Sequence, residues 1–185
     1  MRIISGEFRG RILKTPADNR TRPTSDRLRE TLFNILAAKI GDETRFLDLC
    51  AGTGMVGIEA ISRGALFSAF VDKSKRACAL IEENLDLLKI PETKTEIFCD
   101  AAEKFVARER AADGWDIVFY DPPYKTDYAI FLYEFAACAE NLLSEDGILI
   151  VEHHAKNPLT DMIGSLRRWR IVRQGETHLS FYERR

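Results

Sequence analysis

The chain has 185 residues, of which 45% are apolar and 30% are charged. This length and composition suit one globular domain and exclude a disordered or fibrous class. No apolar run approaches the ~20 residues of a membrane-spanning helix, and the first residues lack the apolar stretch of a signal peptide. We therefore expect a single cytoplasmic domain over residues 1–185, with no membrane partner and, by default, a monomer.

The four cysteines are widely spaced and include no C-x-x-C pair: Cys50, Cys78, Cys99 and Cys138. This pattern indicates neither a zinc site nor a disulfide framework, so we expect no metal. Most of the cysteines are predicted to be small buried apolar residues.

Charge is distributed unevenly along the chain. Residues 1–29 carry eight basic and three acidic side chains, a formal charge of +5, whereas the remainder carries 19 basic and 26 acidic side chains, a charge of −7. A basic N-terminal segment on an acidic body favours contact with a polyanion at one end. The alternative, a solvated surface segment, remains open on charge alone.

The N-terminal region is predicted to be a basic extension over residues 1–24, followed by a core over residues 25–185. Residues 2–14 read as two short strands around Ser5-Gly6, and residues 15–24 as a loop. A helix is predicted from Ser25 to Ile40. Its apolar residues share one face, and Arg27 and Arg29 fall outside that face.

From Arg45 onward, strands alternate with helices, which predicts an α/β fold with a mainly parallel sheet. The last two predicted strands, Trp169–Arg173 and Leu179–Glu183, have no room for a crossover helix and should be antiparallel. The other predicted strands are Phe46–Leu49, Ala69–Val71, Thr95–Cys99, Asp116–Tyr120 and Gly147–Glu152. The predicted helices are Met55–Arg63, one capped by Ser74, one opened by an Asp100–Glu103 capping box, Asp127–Leu142, and one from Asn157-Pro158 to about Leu166.

A glycine-rich turn follows the first strand, in the run Asp48-Leu-Cys-Ala-Gly-Thr-Gly-Met-Val-Gly57. Its glycines let the backbone approach a ligand at the start of a helix. The spacing also fits a dinucleotide fingerprint, so an NAD(P)-linked oxidoreductase is a competing hypothesis. However, Asp48 would repel a pyrophosphate and suits a ligand with cationic groups. The run resembles motif I of S-adenosylmethionine-dependent methyltransferases.

Two more acids follow the next two strands. Asp72 can accept hydrogen bonds from a ribose diol, which suits either cofactor. Asp100 could contact an adenine amine while Ala101 offers its backbone N–H, although a plain helix cap is an alternative. In parallel sheets, ligands bind outside the carboxyl ends of the strands, where all these residues are expected.

The strand Asp116–Tyr120 ends in Asp121-Pro122-Pro123-Tyr124. The prolines stop the strand and stiffen the turn, which fixes a carboxylate and backbone carbonyls beside an aromatic ring. Such acceptors suit a planar ligand with an exocyclic amine, although a plain strand-ending turn with a solvated acid is the alternative for the tetrapeptide alone. The tetrapeptide resembles motif IV of methyltransferases that act on the amino nitrogens of bases.

The N-terminal runs Arg2–Arg11 and Arg22–Asn34, and the C-terminal run Gly175–Tyr182, resemble the bacterial 16S rRNA guanine-N2 methyltransferases that modify guanine 966. Ser5 and Cys50 depart from the family's usual glycine and phenylalanine. The resemblance implies a Rossmann-like class I methyltransferase with an N-terminal β-hairpin, S-adenosylmethionine as cofactor, and 16S rRNA or a small-subunit assembly particle as partner.

The resemblance also implies roles for individual residues. The catalytic set is Asp121, Pro122 and Tyr124. The cofactor set is Asp48, Cys50, Ala51, Gly52, Thr53, Gly54, Asp72, Asp100 and Ala101. The RNA-binding set is Arg9, Arg11, Arg20 and Arg22. An adenine-N6 methyltransferase is an alternative, because motif IV serves both amines, and a non-catalytic RNA-binding module is another. The roles of His153, His154 and His178 stay open.

Overall fold

The computed structural model describes residues 1–16, 25–109, 113–123 and 126–185. These residues form two compact units, Met1–Asp100 and Ala101–Arg185. Within them, no helix combines the length and apolar character needed to cross a bilayer. The organisation of the chain as one domain stays a prediction.

The first unit confirms the predicted alternation of strands and helices. In its described residues it consists of α1 (Asp26–Leu36), β1 (Arg45–Leu49), α2 (Met55–Ser62), β2 (Phe67–Val71), α3 (Lys75–Leu88), a 3-10 turn (Glu92–Lys94) and β3 (Thr95–Phe98). The strands are parallel in the order β3-β2-β1, so their carboxyl ends share one edge.

Helix α1 is shorter than the predicted Ser25–Ile40 helix. Ser25 is the N-cap and its hydroxyl accepts a hydrogen bond from the Leu28 N–H, as capping requires. The chain leaves the helix after Leu36, and the Thr44 hydroxyl bonds both the Gly41 N–H and the Lys39 carbonyl. These bonds hold the following turn in place of a fourth helical turn.

Arg29 contradicts the prediction that it lies off the buried face of α1. Its side chain is fully buried. Nη2 donates to the Arg2 carbonyl at 2.7 Å and to Asp26 Oδ1 at 3.1 Å, and Nε lies 3.7 Å from Glu59 Oε2. The two carboxylates balance the charge of the guanidinium, which lowers the cost of its burial, while Nε and Nη1 make no hydrogen bond within the described residues. The basic segment therefore offers one cation fewer to a partner than the sequence suggested.

The N-terminal hairpin contains no regular strands, contrary to the prediction of two. A single antiparallel bridge joins Arg2 to Ile12, and residues 5–10 form turns. The backbone N–H groups of Ile4 and Ser5 donate to the Glu59 carboxylate, at 2.8 and 3.0 Å. Because these donors bind a side chain of α2, they are not available to a strand ladder.

Helix α2 is buried along its whole length. A Cβ atom on Gly57 would lie 2.4 Å from the ring of Phe70 on β2, so the helix packs on the sheet only because this residue has no side chain. The close packing fixes the start of α2, and with it the glycine-rich turn that precedes the helix.

The second unit has a mixed sheet. Its described elements are α4 (Ala102–Arg108), β4 (Trp115–Tyr120), α5 (Tyr128–Leu142), β5 (Leu143–His154), β6 (Met162–Ile163), β7 (Leu166–Gln174) and β8 (Thr177–Arg184). Strands β4 and β5 are parallel, and the order continues as β5-β8-β7-β6 with antiparallel pairing. The predicted mainly parallel sheet with an antiparallel C-terminal hairpin is confirmed.

The helix predicted from Asn157-Pro158 to Leu166 is wrong. The segment instead turns into the short β6–β7 hairpin, in which Ile163 pairs with Leu166 across Gly164-Ser165. Gly164 has a φ of 55°, which a glycine adopts readily in a tight turn. Pairing of eight residues of β7 with β8 overrides the local helix signal at the proline.

The prediction of mostly buried cysteines is also wrong. Cys50, Cys78 and Cys138 are half-buried and Cys99 is exposed. All four are free thiols, since none is in a disulfide.

Candidate cofactor and substrate sites

Asp48 is buried in β1 and its carboxylate faces the start of α2. Oδ2 accepts a hydrogen bond from the Gly57 N–H at 3.0 Å. The pKa of Asp48 is raised from 3.8 to about 7, chiefly by burial; the hydrogen bond from Gly57 opposes the rise and the nearby Asp72 carboxylate adds to it. The group is therefore close to its ionisation point near neutral pH, and a cationic ligand would favour its charged form.

This position of Asp48 bears on the dinucleotide hypothesis. In dinucleotide-binding folds the pyrophosphate occupies the N-terminus of the first helix, where N–H groups and the helix dipole attract an anion. Here the Gly57 N–H in the first turn of α2 already binds a carboxylate of the protein. A second anion at that place would be repelled, so the geometry favours a ligand with positive charge.

Three residues of the glycine-rich turn have a positive φ. Cys50, Gly52 and Gly54 have φ values of 64°, 58° and 76°. The Ala51 N–H donates to the Val71 carbonyl at 3.0 Å, and the Gly54 N–H to the Ala51 carbonyl at 2.8 Å. Cys50 is the one residue of these three with a side chain, and a non-glycine residue at positive φ is uncommon.

Asp72 braces this turn from the end of β2. One carboxylate oxygen accepts from the Gly52 N–H at 2.9 Å and the other from the Ser74 N–H at 2.8 Å. Each oxygen has a second lone pair, so the carboxylate still has acceptor capacity for a ligand hydroxyl. The structure thus brings the predicted residues Gly52 and Asp72 into direct contact.

Asp100 follows β3 at the same edge as Asp72, because β2 and β3 pair in parallel and the Asp72 N–H bonds the Phe98 carbonyl at 3.1 Å. The predicted capping box is wrong. The N-cap of α4 is Ala101, without a side-chain cap. The Asp100 N–H donates to the Phe98 carbonyl at 3.1 Å, which keeps Asp100 at the strand end instead of the helix start.

Asn84 was missed by the sequence analysis. It is fully buried on α3, where Nδ2 donates to the Thr53 carbonyl at 3.0 Å and to the Lys14 carbonyl at 3.2 Å, and Oδ1 accepts from the Lys14 N–H at 2.8 Å. One amide therefore joins the glycine-rich turn to the N-terminal arm, which we define as residues 1–14. The available signal was an amide at helical spacing between the apolar residues Ile81 and Leu88.

Glu59 was missed as well. Its fully buried carboxylate accepts from the backbone of Ile4 and Ser5 and from Arg63 Nε at 2.8 Å. One turn later, the Ser62 hydroxyl accepts from the Phe8 N–H at 3.0 Å and donates to the Ser5 carbonyl at 2.6 Å. A glutamate within the otherwise apolar helix α2 was the signal. Both residues fasten the arm to the helix that follows the glycine-rich turn.

The arm displays the predicted RNA-binding residues Arg9 and Arg11 to solvent. Their backbones are held by bonds from the Arg9 N–H to the Gly6 carbonyl and from the Ile3 N–H to the Arg11 carbonyl. The other two predicted residues, Arg20 and Arg22, lie outside the described residues.

Asp121 and Pro122 directly follow β4 in the second unit, as predicted, with Asp121 half-buried and Pro122 buried. The turn continues with a bond from the Thr126 N–H to the Pro123 carbonyl at 2.9 Å. Beneath it, the Tyr120 ring stacks on Phe131 of α5 with centroids 3.6 Å apart. Tyr124 lies outside the described residues, so its stacking role stays a prediction.

A groove of about 420 Å³ lies next to this turn within the second unit. One wall is the start of α5 from Thr126 to Tyr133, and the other is the segment from Asn157 to Ile163. Arg168 holds the second wall by donating to the Leu159 carbonyl at 2.9 Å and by pairing with Asp161. These contacts hold one wall of the groove, and the other wall begins at Thr126, five residues after Asp121.

The chain matches the family described as conserved hypothetical protein 95 over residues 1–183. It is 33% identical to the ribosomal RNA small subunit methyltransferase D of Escherichia coli, an alignment that covers 100% of this chain and 90% of the relative. The chain belongs to the family described as conserved hypothetical protein 95. The resemblance noted from the N-terminal and motif residues is thereby confirmed.

Solved structures agree with the methyltransferase fold. A putative methyltransferase from Escherichia coli superposes with a TM-score of 0.84 at 31% identity, covering 100% of this chain and 97% of that chain. The putative methyltransferase SMU.776, solved with SAH, has a TM-score of 0.63 at 18% identity, covering 83% of this chain and 48% of its own, which shows the fold alone. The predicted Rossmann-like methyltransferase fold is confirmed.

In the described residues, no group of histidine, cysteine and acidic side chains has the arrangement of a metal site.

Proposed function

We propose that this chain transfers a methyl group from S-adenosylmethionine to the exocyclic N2 of a guanine in the 16S rRNA of the small ribosomal subunit. The observation that carries the proposal is the buried Asp48 carboxylate at the start of α2, with Asp72 beside it. This acidic pair suits a cofactor with a sulfonium and an amino group, and it opposes a pyrophosphate. The 33% identity to the ribosomal RNA small subunit methyltransferase D of Escherichia coli supports methyl transfer to ribosomal RNA as the type of reaction.

The cofactor is bound in this proposal by the carboxyl edge of the first unit. Asp48 favours its cationic groups, the backbone of Cys50, Ala51, Gly52, Thr53 and Gly54 lies along it, and Asp72 accepts from its ribose. Asp100 and the Ala101 N–H contact the adenine edge. The hydrogen bonds of Asp72 to the Gly52 and Ser74 N–H groups fix the carboxylate before the cofactor arrives, which reduces the entropy lost on binding.

Bound S-adenosylmethionine supplies a methyl group on a sulfonium, which is already activated for displacement. The chain must hold the guanine amine in line with that methyl group, and such orientation can contribute several kcal/mol. The Asp121 carboxylate and the Pro122 carbonyl accept the two amine hydrogens, which favours the pyramidal geometry of a nucleophilic nitrogen. The N–C bond forms as the S–C bond breaks, and the proton then leaves the methylated nitrogen for Asp121 or water.

The RNA is held by the arm and by stacking in this proposal. Arg9 and Arg11, with Arg20 and Arg22, contact phosphates, and Tyr124 stacks on a base swung out of its RNA context. The choice of guanine N2 over adenine N6 is supported by the likeness of the N-terminal runs to the guanine-N2 family, since Asp-Pro-Pro-Tyr serves both amines. We further propose a monomer that acts in the cytoplasm.

The test is methyl transfer from labelled S-adenosylmethionine to deproteinised 16S RNA and, separately, to small-subunit particles lacking the modification. The modified nucleotide is then mapped and identified by mass. We expect 2-methylguanine at a single position. Label on adenine N6 would select the alternative methyltransferase, and cofactor binding without transfer to either substrate would reject an rRNA target.

A further inference from the structure

Two histidines and an arginine lie side by side across strands β5, β8 and β7 of the second unit. His153 on β5 pairs with His178 on β8, and His178 pairs with Arg173 on β7. Residues directly opposite in antiparallel strands project from the same face, so the three side chains are neighbours. The rings of His153 and His178 meet edge to face, with centroids 5.5 Å apart.

Arg173 holds a positive charge beside the His178 imidazole. Arg173 is exposed and, in the part of the chain that the structure describes, has no carboxylate partner. The pKa of His178 is lowered, first by burial and then by repulsion from Arg173 and His154. The nearby Glu176 lies 3.8 Å from His154 Nε2 instead. Two mutually repelling groups held side by side form a site that an anion would stabilise.

His153 forms a rigid, neutral wall behind this pair. It is fully buried, its Nε2 lies 2.9 Å from Ser180 Oγ, and its Nδ1 lies 3.3 Å from the His154 carbonyl oxygen. Burial lowers its pKa to about 4. The ring of Tyr128, which lines the groove beside Asp121-Pro122, packs edge-on against it at 6.3 Å.

The pair lies at the same edge of the second unit as Asp121. Strands β4 and β5 run in parallel with Tyr120 opposite Val151, so Asp121 and the residues after Val151 emerge together. His153 lies two residues beyond Val151 and directly beside His178. The Arg173–His178 pair is thus within the same unit and edge as the turn proposed to hold the target amine.

We propose that Arg173 and His178 bind a backbone phosphate of the RNA strand that carries the target base. The guanidinium offers two parallel N–H donors to phosphate oxygens, and the imidazole offers a third. This site rests on the proposed RNA substrate and adds to the arm a contact on the second unit. It fixes the strand next to the base that Asp121-Pro122 receives.

The test compares Arg173→Gln with Arg170→Gln. Arg170 is an exposed arginine on the same strand but opposite Phe181, hence on the other face. Both variants lose one charge. We expect Arg173→Gln to raise KM for RNA about tenfold, as the loss of a charged hydrogen-bond contact predicts, with kcat and S-adenosylhomocysteine affinity unchanged. Arg170→Gln should stay within about twofold, because a distant surface charge contributes little. Equal effects of the two variants would overturn the site.

A second measurement follows the His178 imidazole by NMR in the wild-type protein. A short RNA oligonucleotide should raise the pKa of His178, since phosphate favours the charged ring, whereas inorganic phosphate at the same concentration should not. A bound oligonucleotide without a rise, or an equal rise with inorganic phosphate, would contradict an RNA phosphate site. Failure of the proposed function has a different signature, namely that the wild-type protein transfers no methyl group to RNA.

Discussion

The buried surroundings of Asp48 disfavour the ionised form of its carboxylate. Its pKa of about 7 in the folded chain, against 3.8 ordinarily, means that the folded state binds more protons than the unfolded state between about pH 4 and pH 7. Stability is therefore reduced as pH rises through this window, and the reduction is complete above it. A cationic ligand reverses the effect locally, because it stabilises the ionised carboxylate.

Asp48→Asn should consequently make the free protein more stable and less able to bind its cofactor. The amide oxygen can still accept from the Gly57 N–H, but no buried charge remains. Urea unfolding at pH 8 should show a gain with an upper limit of about 4 kcal/mol, from the raised pKa at about 1.4 kcal/mol per pH unit. The gain should shrink toward pH 5, where wild-type Asp48 is largely protonated.

Calorimetry supplies the second half of this prediction. Wild-type affinity for S-adenosylmethionine should fall as pH drops below 7, while the weak binding of Asp48→Asn should be independent of pH. NAD should bind neither protein. If Asp48→Asn lost stability equally at pH 5 and pH 8, the carboxylate would be a structural cap for α2 and not a site for cations.

Asp121→Ala should abolish methyl transfer while leaving the Kd for S-adenosylhomocysteine within about twofold of the wild-type value. The reason is that the Asp121 side chain is proposed to contact the substrate amine and not the cofactor. Asp127→Ala is the matched control. Asp127 is an acid six residues later that caps α5 through the Ala129 N–H. Its loss should reduce stability by about 1 kcal/mol and leave turnover near normal. Near-normal turnover of Asp121→Ala would refute the motif IV assignment.

At the scale of elements, Asn84 links the arm to the glycine-rich turn through its bonds to Lys14 and Thr53. Asn84→Ala should weaken cofactor binding and RNA binding together, because the glycine-rich turn and the arm each lose a hydrogen bond to the buried amide. Ser62→Ala is the control, because it removes two bonds to the arm and none to the turn. It should weaken RNA binding and spare the Kd for S-adenosylhomocysteine. Equal loss of cofactor affinity in both variants would show general destabilisation instead of a specific link.

The same contacts show how far sequence reasoning reaches. Strands β1 and β4 and helices α3 and α5 were predictable because their apolar periodicity and caps are local. Asp48 and Gly52 were predictable from the turn between β1 and α2. The partners of Glu59 and Asn84 in the arm lie 54 to 70 residues away, so local patterns could not name them. The false helix at Asn157-Pro158 has the same cause, since strand pairing is a distant interaction.

Across the whole molecule, the N-terminal segment is basic and the remainder of the chain is acidic. Arg29 is buried and paired with Asp26 and Glu59, so it is not available to contact RNA. Arg9 and Arg11 remain exposed on the arm. If they contact phosphates, each contact should contribute a salt-dependent term to RNA affinity. A merely solvated segment would contribute none.

The double variant Arg9→Gln with Arg11→Gln should therefore bind RNA more weakly and with a salt slope smaller by about 1.4 to 1.8, the value for two phosphate contacts. Its Kd for S-adenosylhomocysteine should be unchanged, because the bonds of Asn84 and Ser62 to the arm use backbone groups of other residues. Lys89→Gln with Lys94→Gln removes two exposed charges between α3 and β3, outside the arm, and it should leave the slope unaltered. An equal change in both double variants would assign the salt dependence to net charge. The arm itself would then not be a contact surface.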